Sequence, residues 1–253
     1  MSKYRKRTRN LFDPKSDKPY KLSRSRLERF LKCPRCFYLD RRLGMDQISG
    51  PAFTLNSATD TLLKKEFDHY RARGEAHPLM RQNSVDAVPY KHECMDEWRE
   101  NFKGVQHRHA PTNLIVHGAV DDLWLNTNGA IHVVDYKSTS TEKKIDLNDE
   151  WKSAYKRQME IYQWLLRQEG FHVSDTGYFV YVNARTDLDG FHGRLEFVTE
   201  LIPYAGNSDW VEQVVVDAKE ALTASAPPPK ATDCEWCAYR EITRLTEAQF
   251  ETL

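Results

Sequence analysis

Two Cys-x-x-Cys pairs near opposite ends of the chain restrict its fold more than any other feature. Cys33-Pro-Arg-Cys36 lies close to the N-terminus, and Cys234-Glu-Trp-Cys237 lies close to the C-terminus. The first thirty residues are basic and contain no apolar run typical of a secretory signal, so we expect a cytoplasmic protein. In that compartment such pairs indicate a metal site rather than disulfides. The fold must then bring both chain ends to one four-cysteine site, which closes a long loop.

The identity of the metal at this site stays open at the level of sequence. Four thiolates suit either a tetrahedral Zn²⁺ ion or a [4Fe–4S] cluster, and the symmetric two-plus-two spacing is typical of zinc. Thioredoxin-like redox chemistry fits less well, because neither pair lies in a βαβ pattern. The fifth cysteine, Cys94, we interpret as an isolated core thiol.

A β-hairpin is predicted in the middle of the chain. Asn128-Gly129 is typical of a type I′ turn, and the apolar residues 114–116 and 131–134 are typical of strands. Asp121 would then lie on one strand and Asp135 and Lys137 on the next. Because side chains alternate along a strand, Asp135 and Lys137 share one face. Charges on an apolar strand are costly unless they have partners or a function.

These three residues have the chemistry of a metal-dependent phosphodiesterase. Carboxylates are the ligands that Mg²⁺ or Mn²⁺ prefers, and such an ion polarises phosphorus and lowers the pKa of a bound water. A neighbouring lysine orients that water or stabilises the developing negative charge. The alternative is that Asp121 and Asp122 lie in a solvated turn and Lys137 is an edge-strand charge that prevents aggregation.

A helix is predicted over residues 151–168 and ends before Gly170. Gln158 and Tyr162 are four residues apart and therefore share one helix face. Ordinary amphipathic packing would explain this pair, but its position after the hairpin favours a functional role. The hairpin and the helix together give a combined pattern of three motifs: Gly118-x-x-Asp121, Asp135-x-Lys137 and Gln158-x-x-x-Tyr162.

This pattern resembles the PD-(D/E)XK nuclease superfamily, and most of all its RecB-type branch, which includes CRISPR-associated exonucleases with cysteine-bound clusters. The resemblance implies that Asp121 and Asp135 are metal ligands and that Lys137 assists catalysis. It also implies that Gln158 and Tyr162 belong to the active site or contact nucleic acid. The iron–sulfur members take one cysteine from the N-terminal segment and three from the C-terminus, whereas this chain provides two from each end. The resemblance favours a cluster, and the spacing favours zinc.

The RecB-type branch also has an upstream helix with a Gly-x-x-x-His pattern that completes the metal shell. The corresponding segment is residues 53–67, where Asn56 replaces the glycine and Asp60 replaces the histidine. Asp60 provides a hard oxygen ligand, so the resemblance allows it to complete the shell. The alternative is a solvent-facing helix charge. Glu66 and Asp68 are rival candidates on the same helix.

We therefore expect an α/β, restriction-endonuclease-like core with a mixed central sheet flanked by helices and with its two ends joined at the four-cysteine site. Residues 177–183 and 195–204 are predicted strands of this sheet, and a helix is predicted from Asp209 to Leu222. The expected organisation is a basic, disordered tail (1–20) and one nuclease-like domain (21–253). Within that domain we expect a helical insertion (71–113) and a linker with the C-terminal cysteine segment (223–253).

The charge is distributed unevenly, although 37 basic residues balance 37 acidic ones. Residues 1–42 contain fifteen Lys and Arg against four Asp and Glu, which leaves +11 there and −11 in the remainder. Ser25-x-x-Glu28 is typical of a helix capping box, and on this helix or beside it Arg26, Arg29 and Arg35 are candidate phosphate contacts. No apolar run reaches transmembrane length, so we expect no membrane partner.

The function predicted from the sequence is Mg²⁺- or Mn²⁺-dependent hydrolysis of DNA, either single-stranded or at duplex ends. The alternative is an inactive nuclease-like module that binds nucleic acid or a protein around a structural Fe–S or Zn site. Repair, recombination and defence systems all use this fold, so it does not select a pathway or distinguish exonuclease from endonuclease. Five histidines are further possible ligands, although isolated surface histidines are commoner: His69, His77, His107, His109 and His117.

Overall fold

The predicted hairpin lies at the centre of a mixed sheet. Strands β5 (Asp122–Asn126) and β6 (Ile131–Thr139) pair antiparallel, and Asp122 lies opposite Val134. Gly129 has φ +76° in the turn, and its amide donates to the carbonyl of Asn126 at 3.0 Å. This left-handed conformation favours glycine, which explains why the Asn-Gly pair specifies the turn.

The first hairpin strand differs from the prediction. Leu114–Gly118 forms a separate strand, β4, and Asp121 lies in the bend just before β5 rather than on a strand. The chain leaves its ladder there because the amide of Val120 donates to the carbonyl of Trp98, at 3.0 Å, instead of to a neighbouring strand. Asp121 is therefore held at the entrance of β5.

Three more strands complete the five-stranded sheet, whose order is β2-β5-β6-β7-β8. Strand β2 (Ala87–Pro89) pairs antiparallel with β5, and β7 (Thr176–Ala184) pairs parallel with β6. Strand β8 (Phe197–Ala205) closes the other edge antiparallel to β7, so the strands predicted at 177–183 and 195–204 are confirmed. Helix α6 (Ser153–Gln168) makes the long crossover that a parallel pair requires. The predicted first residue of that helix, Trp151, lies outside the described residues.

A second sheet contains three strands in the order β1-β4-β3, where β1 is Tyr20–Ser23 and β3 is Val105–His109. Residues 71–113, for which we expected a helical insertion, contain short helices and the strands β2 and β3. The remaining helices precede, connect or follow the two sheets: α1 (Arg24–Lys32), α2 (Pro34–Arg41), α3 (Thr54–Arg73), α4 (Pro78–Gln82), α5 (Met95–Trp98), α7 (Trp210–Thr223) and α8 (Glu235–Phe250).

The computed structural model describes residues 6–48, 50–51, 53–147, 149 and 152–250. The chain divides into two compact units. The first comprises Met1–Gly50, Arg108–Val116 and Glu212–Leu253, and the second comprises Pro51–His107 and His117–Val211. Among the described helices, none combines the length and the apolar character needed to cross a bilayer.

The core of the second unit lies against the face of β6 that carries Val134 and Tyr136. Phe67 of α3 and Trp124 of β5 are fully buried there, and their stacked rings lie 5.5 Å apart. Burying a side chain of this size stabilises the fold by about 1.5–3 kcal/mol. Because this face is occupied by apolar packing, the residues of opposite alternation, Asp135 and Lys137, are directed away from it. The core therefore determines where the charged face of β6 lies.

The start of α1 differs from the predicted capping box. The helix begins at Arg24 after Ser23, which makes no side-chain cap hydrogen bond, and the hydroxyl of Ser25 lies 2.9 Å from that of Ser23. Strand β1 runs directly into the helix, so the boundary falls two residues earlier than the pattern indicated. Leu27 of this helix is nevertheless fully buried.

Acidic partners surround two of the predicted phosphate-contacting arginines of α1. Arg26 donates to the fully buried Asp40 at 2.8 Å and to Asp46 at 3.1 Å. Arg29 forms an ion pair with Asp46 as well. These carboxylates explain why both arginines are held in place within the first unit, whereas Arg35 is exposed.

Candidate active site

Asp135 and Lys137 form an ion pair on the charged face of β6. The side chain of Asp135 is fully buried and that of Lys137 is 15% exposed, and Lys137 Nζ contacts Asp135 Oδ2. Lys137 Nζ also lies 4.7 Å from the ring centre of Tyr155, in a cation–π contact. A buried pair of this kind is costly to remove from water, so its energetic value depends on complete hydrogen bonding.

The pKa of Lys137 reflects two opposing influences. Burial acts to lower the pKa, but the charge of Asp135, and after it that of Asp121, outweighs burial and raises the pKa above its usual value. Both carboxylates are therefore close enough to interact with one ammonium group. The structure thus brings Asp121, Asp135 and Lys137 into one electrostatic cluster.

Helix α6 directs Gln158 and Tyr162 toward this cluster. Gln158 Nε2 donates to Asp135 Oδ1 at 2.8 Å and also lies 3.2 Å from the hydroxyl of Tyr162. One turn of helix separates the two residues, which gives them the common face that the sequence predicted. The structure therefore brings the helix motif and the hairpin motif into direct contact through the two oxygens of Asp135.

Asp121 is fixed by the backbone of the neighbouring strand. Its Oδ2 accepts the amide proton of Tyr136 at 2.9 Å, while Oδ1 lies 3.6 Å from Lys64 Nζ. The side chain is 22% exposed, whereas Asp135 is fully buried. Asp121 is thus the more accessible of the two candidate ligands on the hairpin.

Asp60 lies on α3 at the edge of a cleft of about 140 Å³. Burial raises the pKa of Asp60, and the charge of Asp121 raises it further, against the opposing effect of Lys64. Asn56, which precedes Asp60 by one turn, donates to the carbonyl of Ser138 at 3.1 Å. Helix α3 and strand β6 therefore form opposite walls of the cleft, and its lining residues are Asn56, Thr59, Asp60, Leu63, Tyr136, Lys137, Ser138 and Tyr155.

Lys64 connects Asp60 with Asp121 and was not predicted as a site residue. Its ammonium lies 2.9 Å from Asp60 Oδ2 and 3.6 Å from Asp121 Oδ1. Burial acts to lower the pKa of Lys64, but Asp121 and Asp60 outweigh burial and raise it. The signal available in the sequence was the i, i+4 spacing from Asp60, which places both residues on one helix face.

The rival acidic residues of α3 are engaged elsewhere. Glu66 lies 2.8 Å from Nε2 of His77. Asp68 forms ion pairs with Arg71 and Arg99, and these contacts lower its pKa although burial opposes them. Neither lines the cleft of Asp60. Among the other candidate histidines, His107 contacts Glu169 at 3.0 Å, and His109 contacts Glu212 at 2.6 Å.

A buried network that sequence analysis missed supports the start of β5. Asp122 is fully buried, forms an ion pair with Arg71, and accepts hydrogen bonds from Arg99 at 3.0 Å and from the Tyr136 hydroxyl at 2.8 Å. Arg99 Nε also donates to the backbone carbonyl of Asp121 at 3.1 Å. The network thus fixes the backbone that carries the candidate ligand Asp121. Its members come from three distant segments, and the region around Arg99 gives few periodic cues.

The four cysteines of the two pairs meet within the first unit, as the sequence predicted. Cys33 lies between α1 and α2, and Cys36 lies on α2. Cys234 directly precedes α8, and Cys237 lies in its first turn. The Sγ atoms of Cys33 and Cys237 are 3.8 Å apart, and Cys36 Sγ lies 3.6 Å from those of both Cys234 and Cys237. All four sulfurs lie within 4.8 Å of one another, and three of the residues are buried.

These cysteines are the only group of three or more His, Cys, Asp or Glu side chains that comes this close together in the described part of the chain. Asp60, Asp121 and Asp135 do not form such a group. Asp60 and Asp121 are instead bridged by Lys64, and Asp135 is paired with Lys137.

A model of the PD-(D/E)XK nuclease superfamily matches residues 21–242, which is most of the chain. The chain belongs to this superfamily. The resemblance predicted from the sequence motifs is thereby confirmed at the level of the superfamily, together with the mixed α/β fold and the four-cysteine junction of its two ends.

Other comparisons place fewer constraints on the protein. Six chains of solved structures match this PD-(D/E)XK protein. One of them, the crystal structure of SSO0001, has 15% sequence identity and a TM-score of 0.40, and the alignment covers 84% of this chain and 81% of that chain. The comparison with curated proteins gives no match.

Proposed function

We propose that the protein is a Mg²⁺- or Mn²⁺-dependent nuclease that hydrolyses DNA phosphodiester bonds at the cleft between α3 and β6. The contact of Gln158 with Asp135 is the observation that carries this proposal, because it joins two sequence motifs at one buried carboxylate. Superfamily membership supports a phosphodiester substrate. The acidic and basic groups at the cleft support metal-assisted hydrolysis rather than simple anion binding.

Each residue has a defined part in this proposal. Asp121 and Asp135 would hold the divalent ion, which supplies Lewis acidity to the scissile phosphate when bound. Lys137 carries three donors, one of which contacts Asp135, so others remain to orient a water or to stabilise negative charge on phosphate. Gln158 holds Asp135 in its orientation, and the Tyr162 hydroxyl accepts a hydrogen bond from Gln158. Asp60, at the cleft edge, is a further candidate ligand.

The donor set of the cleft fits a hard divalent cation. Asp135 contacts the ammonium of Lys137, and the charges of Asp135 and Asp121 both raise the pKa of that ammonium. Oxygen ligands are the kind that Mg²⁺ and Mn²⁺ select, whereas softer metals favour thiolate or imidazole. An incoming cation would share Asp121 with Lys64 and Asp135 with Lys137. We therefore expect the ion to bind together with the substrate phosphate.

Within the superfamily, we propose that the chain is RecB-like. Two features support this: Gln158-x-x-x-Tyr162 on the helix that follows β6, and the four cysteines that join the chain ends. DNA, either single-stranded or at duplex ends, is the proposed substrate.

A cleavage assay with the wild-type protein tests this function. We expect end-labelled DNA, offered as single strands and as linear duplex, to be cut when Mn²⁺ or Mg²⁺ is supplied and to stay intact when neither is added. Products are resolved on a denaturing gel. Protein that is folded by circular dichroism and yet cuts neither substrate with either metal would exclude the proposed activity.

One observation favours a second candidate function, a nuclease-like module that binds nucleic acid or a partner protein without cutting. Lys64 already neutralises Asp60 and Asp121 in the cleft, as a bound cation would. Calorimetric titration with Mn²⁺ distinguishes the two functions. A nuclease binds the ion, and its affinity falls when Asp121 is changed to Asn, whereas a module that does not cut shows no such dependence.

We infer that the four-cysteine site holds a single tetrahedral ion, Zn²⁺, rather than a [4Fe–4S] cluster. A Zn–S bond of about 2.3 Å in a tetrahedron separates neighbouring sulfurs by about 3.8 Å. Three of the sulfur pairs lie 3.6, 3.6 and 3.8 Å apart, and all four sulfurs lie within 4.8 Å of one another. In a cluster each thiolate binds a different iron, so its sulfurs lie much further apart than those around one ion. The spacing of the thiolates therefore fits zinc.

Metal analysis and an absorption spectrum test this assignment. We expect protein purified without oxygen to contain about one zinc per chain and to absorb only in the ultraviolet, because Zn²⁺ has a filled d shell. Broad visible absorbance, together with about four irons per chain, would contradict the zinc assignment. Protein produced with added iron serves as the control, since it gives a cluster every opportunity to form.

A further inference from the structure

Helix α8 presents an unusually exposed surface within the first unit. Of its sixteen residues, Glu235 to Phe250, only Cys237 is buried. Two grooves flank this helix, and Arg240 lines both of them. We call this surface the α8 surface, and it consists of the exposed side chains of the two grooves.

The larger groove of the α8 surface is strongly basic. It has a volume of about 460 Å³ and is lined by Arg35, Lys230, Arg240 and Arg244 around a single acidic residue, Glu241. Lys230 pairs with Glu241 and lowers its pKa, and Arg244 and Arg35 lower it further. Among the described residues, none pairs with the three arginines of this groove within 4 Å. Three positive charges are therefore available to an anionic ligand.

The smaller groove of the α8 surface is apolar and aromatic. It has a volume of about 240 Å³ and is lined by Leu39, Met45, Ile48, Trp236 and Tyr239 among others. Tyr239 is 66% exposed, Ile48 69% and Trp236 38%. Several large apolar side chains exposed together in one groove indicate a binding surface, whereas single exposed apolar residues need no such explanation.

We propose that the α8 surface binds single-stranded nucleic acid, with phosphates in the basic groove and bases against Trp236 and Tyr239. A cationic groove beside aromatic side chains is the combination that tracks a single strand, since every base has a face that can stack. The three uncompensated arginines supply the complementary charge, and guanidinium groups bind phosphate in a bidentate way. This proposal deepens the proposed nuclease function and rests on it only for the nature of the ligand.

Binding of fluorescent oligothymidylate, measured by anisotropy without divalent cations, tests the basic groove. We expect Arg240→Ala/Arg244→Ala to weaken binding about 25-fold at 0.1 M salt and to reduce the slope of log K against log salt by about 1.4, because each phosphate contact contributes about 0.7. The control, Arg185→Ala/Arg194→Ala, removes two exposed arginines that already have acidic partners. Arg240→Lys/Arg244→Lys keeps both charges and should retain most of the affinity.

The aromatic groove has a separate test in the same assay. We expect Tyr239→Ala to weaken binding at least about fivefold without changing the salt slope, since stacking involves no counterion. Phe250→Ala removes an equally exposed ring from the same helix but outside both grooves, and it should bind as wild type does. Circular dichroism and the metal content of each variant verify its fold.

Three outcomes would overturn the proposal. In the first, the groove variants bind oligothymidylate as tightly as wild type does. In the second, the control variants weaken binding as much as the groove variants do. In the third, Tyr239→Ala abolishes self-association in sedimentation but leaves oligonucleotide binding intact, which would assign the α8 surface to contact between copies. The cleavage assay separates this proposal from the nuclease function. A wild-type protein that binds oligothymidylate through the α8 surface without cutting DNA supports only the binding proposal. A wild-type protein that cuts DNA, while the α8-surface variants bind normally, supports only the nuclease function.

Discussion

Changing Asp135 to Asn should reduce the rate of Mn²⁺-dependent DNA cleavage by about 10³-fold or more, with little loss of DNA binding. The substitution keeps the shape of the side chain but removes the charge that faces Lys137 and the candidate ion. Removal of a single electrostatic contributor commonly costs about 10²–10³ in rate, and loss of an ion ligand adds to that. Single-turnover cleavage of labelled DNA, with excess enzyme, measures the effect on the chemical step.

Two further variants show whether the loss is chemical or structural. Asp135→Asn alone leaves Lys137 buried without its partner, which costs about 3–5 kcal/mol for a buried pair, whereas Asp135→Asn/Lys137→Met removes both charges and should recover most of that stability. We expect the double variant to be folded and still inactive. Asp189→Asn, a change of the same type at a side chain that is 96% exposed, should cut as wild type does. Full activity in Asp135→Asn or in the double variant would refute the residue assignment.

The hairpin and its charged face were predictable because the signals are local. Asn128-Gly129 specifies a turn through the backbone conformation of glycine, and alternation along β6 then assigns Asp135 and Lys137 to one face. Gln158 followed from helical periodicity, although its contact with Asp135 spans 23 residues. Periodicity gave the face of the helix, and the family resemblance implied that this face belongs to the active site or contacts nucleic acid, but neither named Asp135 as the partner of Gln158.

The elements that escaped prediction depend on contacts between distant segments. Asp121 lies before β5 because Val120 bonds to Trp98, and no local pattern encodes that choice. Arg99 reaches Asp122 and the backbone of Asp121 from a segment without periodicity. Tertiary hydrogen bonds of this kind override local strand propensity.

The distribution of charge along the sequence shows where basic residues are concentrated, but it does not show which of them form ion pairs with acidic residues. Arg26 and Arg29 were candidate phosphate contacts because they follow a basic terminus, yet Asp40 and Asp46 fold back onto them. Arg35, on the other side of Cys33, remains exposed and lines the basic groove of the α8 surface. Which arginines are available to a ligand is therefore a property of the fold.

The same reasoning applies to the predicted metal shell at the cleft. The family resemblance made Asp60 a candidate for the metal shell, and the structure puts Asp60 among the residues that line the cleft. The spacing could not show that Lys64 would bridge Asp60 to Asp121. Whether Asp60 acts as a ligand thus depends on how an incoming cation competes with Lys64.

Replacing Cys36 with Ser should remove the metal from the four-cysteine site and destabilise the first unit by about 3 kcal/mol or more. Structural zinc sites contribute about 10–16 kcal/mol of apparent binding free energy in small domains, so the loss of one ligand in four is a large perturbation. Cys94→Ser is the matched control, because Cys94 lies outside the cluster. Zinc content and thermal unfolding of both variants measure the effect.

Helix α8 should respond most strongly to this change. Its only buried side chain is Cys237. With the proposed Zn²⁺ bound, thiolate–metal bonds rather than apolar packing would therefore hold this sixteen-residue helix within the first unit. An isolated helix of this length is marginally stable in water. We therefore expect hydrogen exchange in Cys36→Ser to become fast across α8 while strands β6 and β7 stay protected. Unchanged protection of α8 in a zinc-free Cys36→Ser variant would show that other contacts anchor the helix.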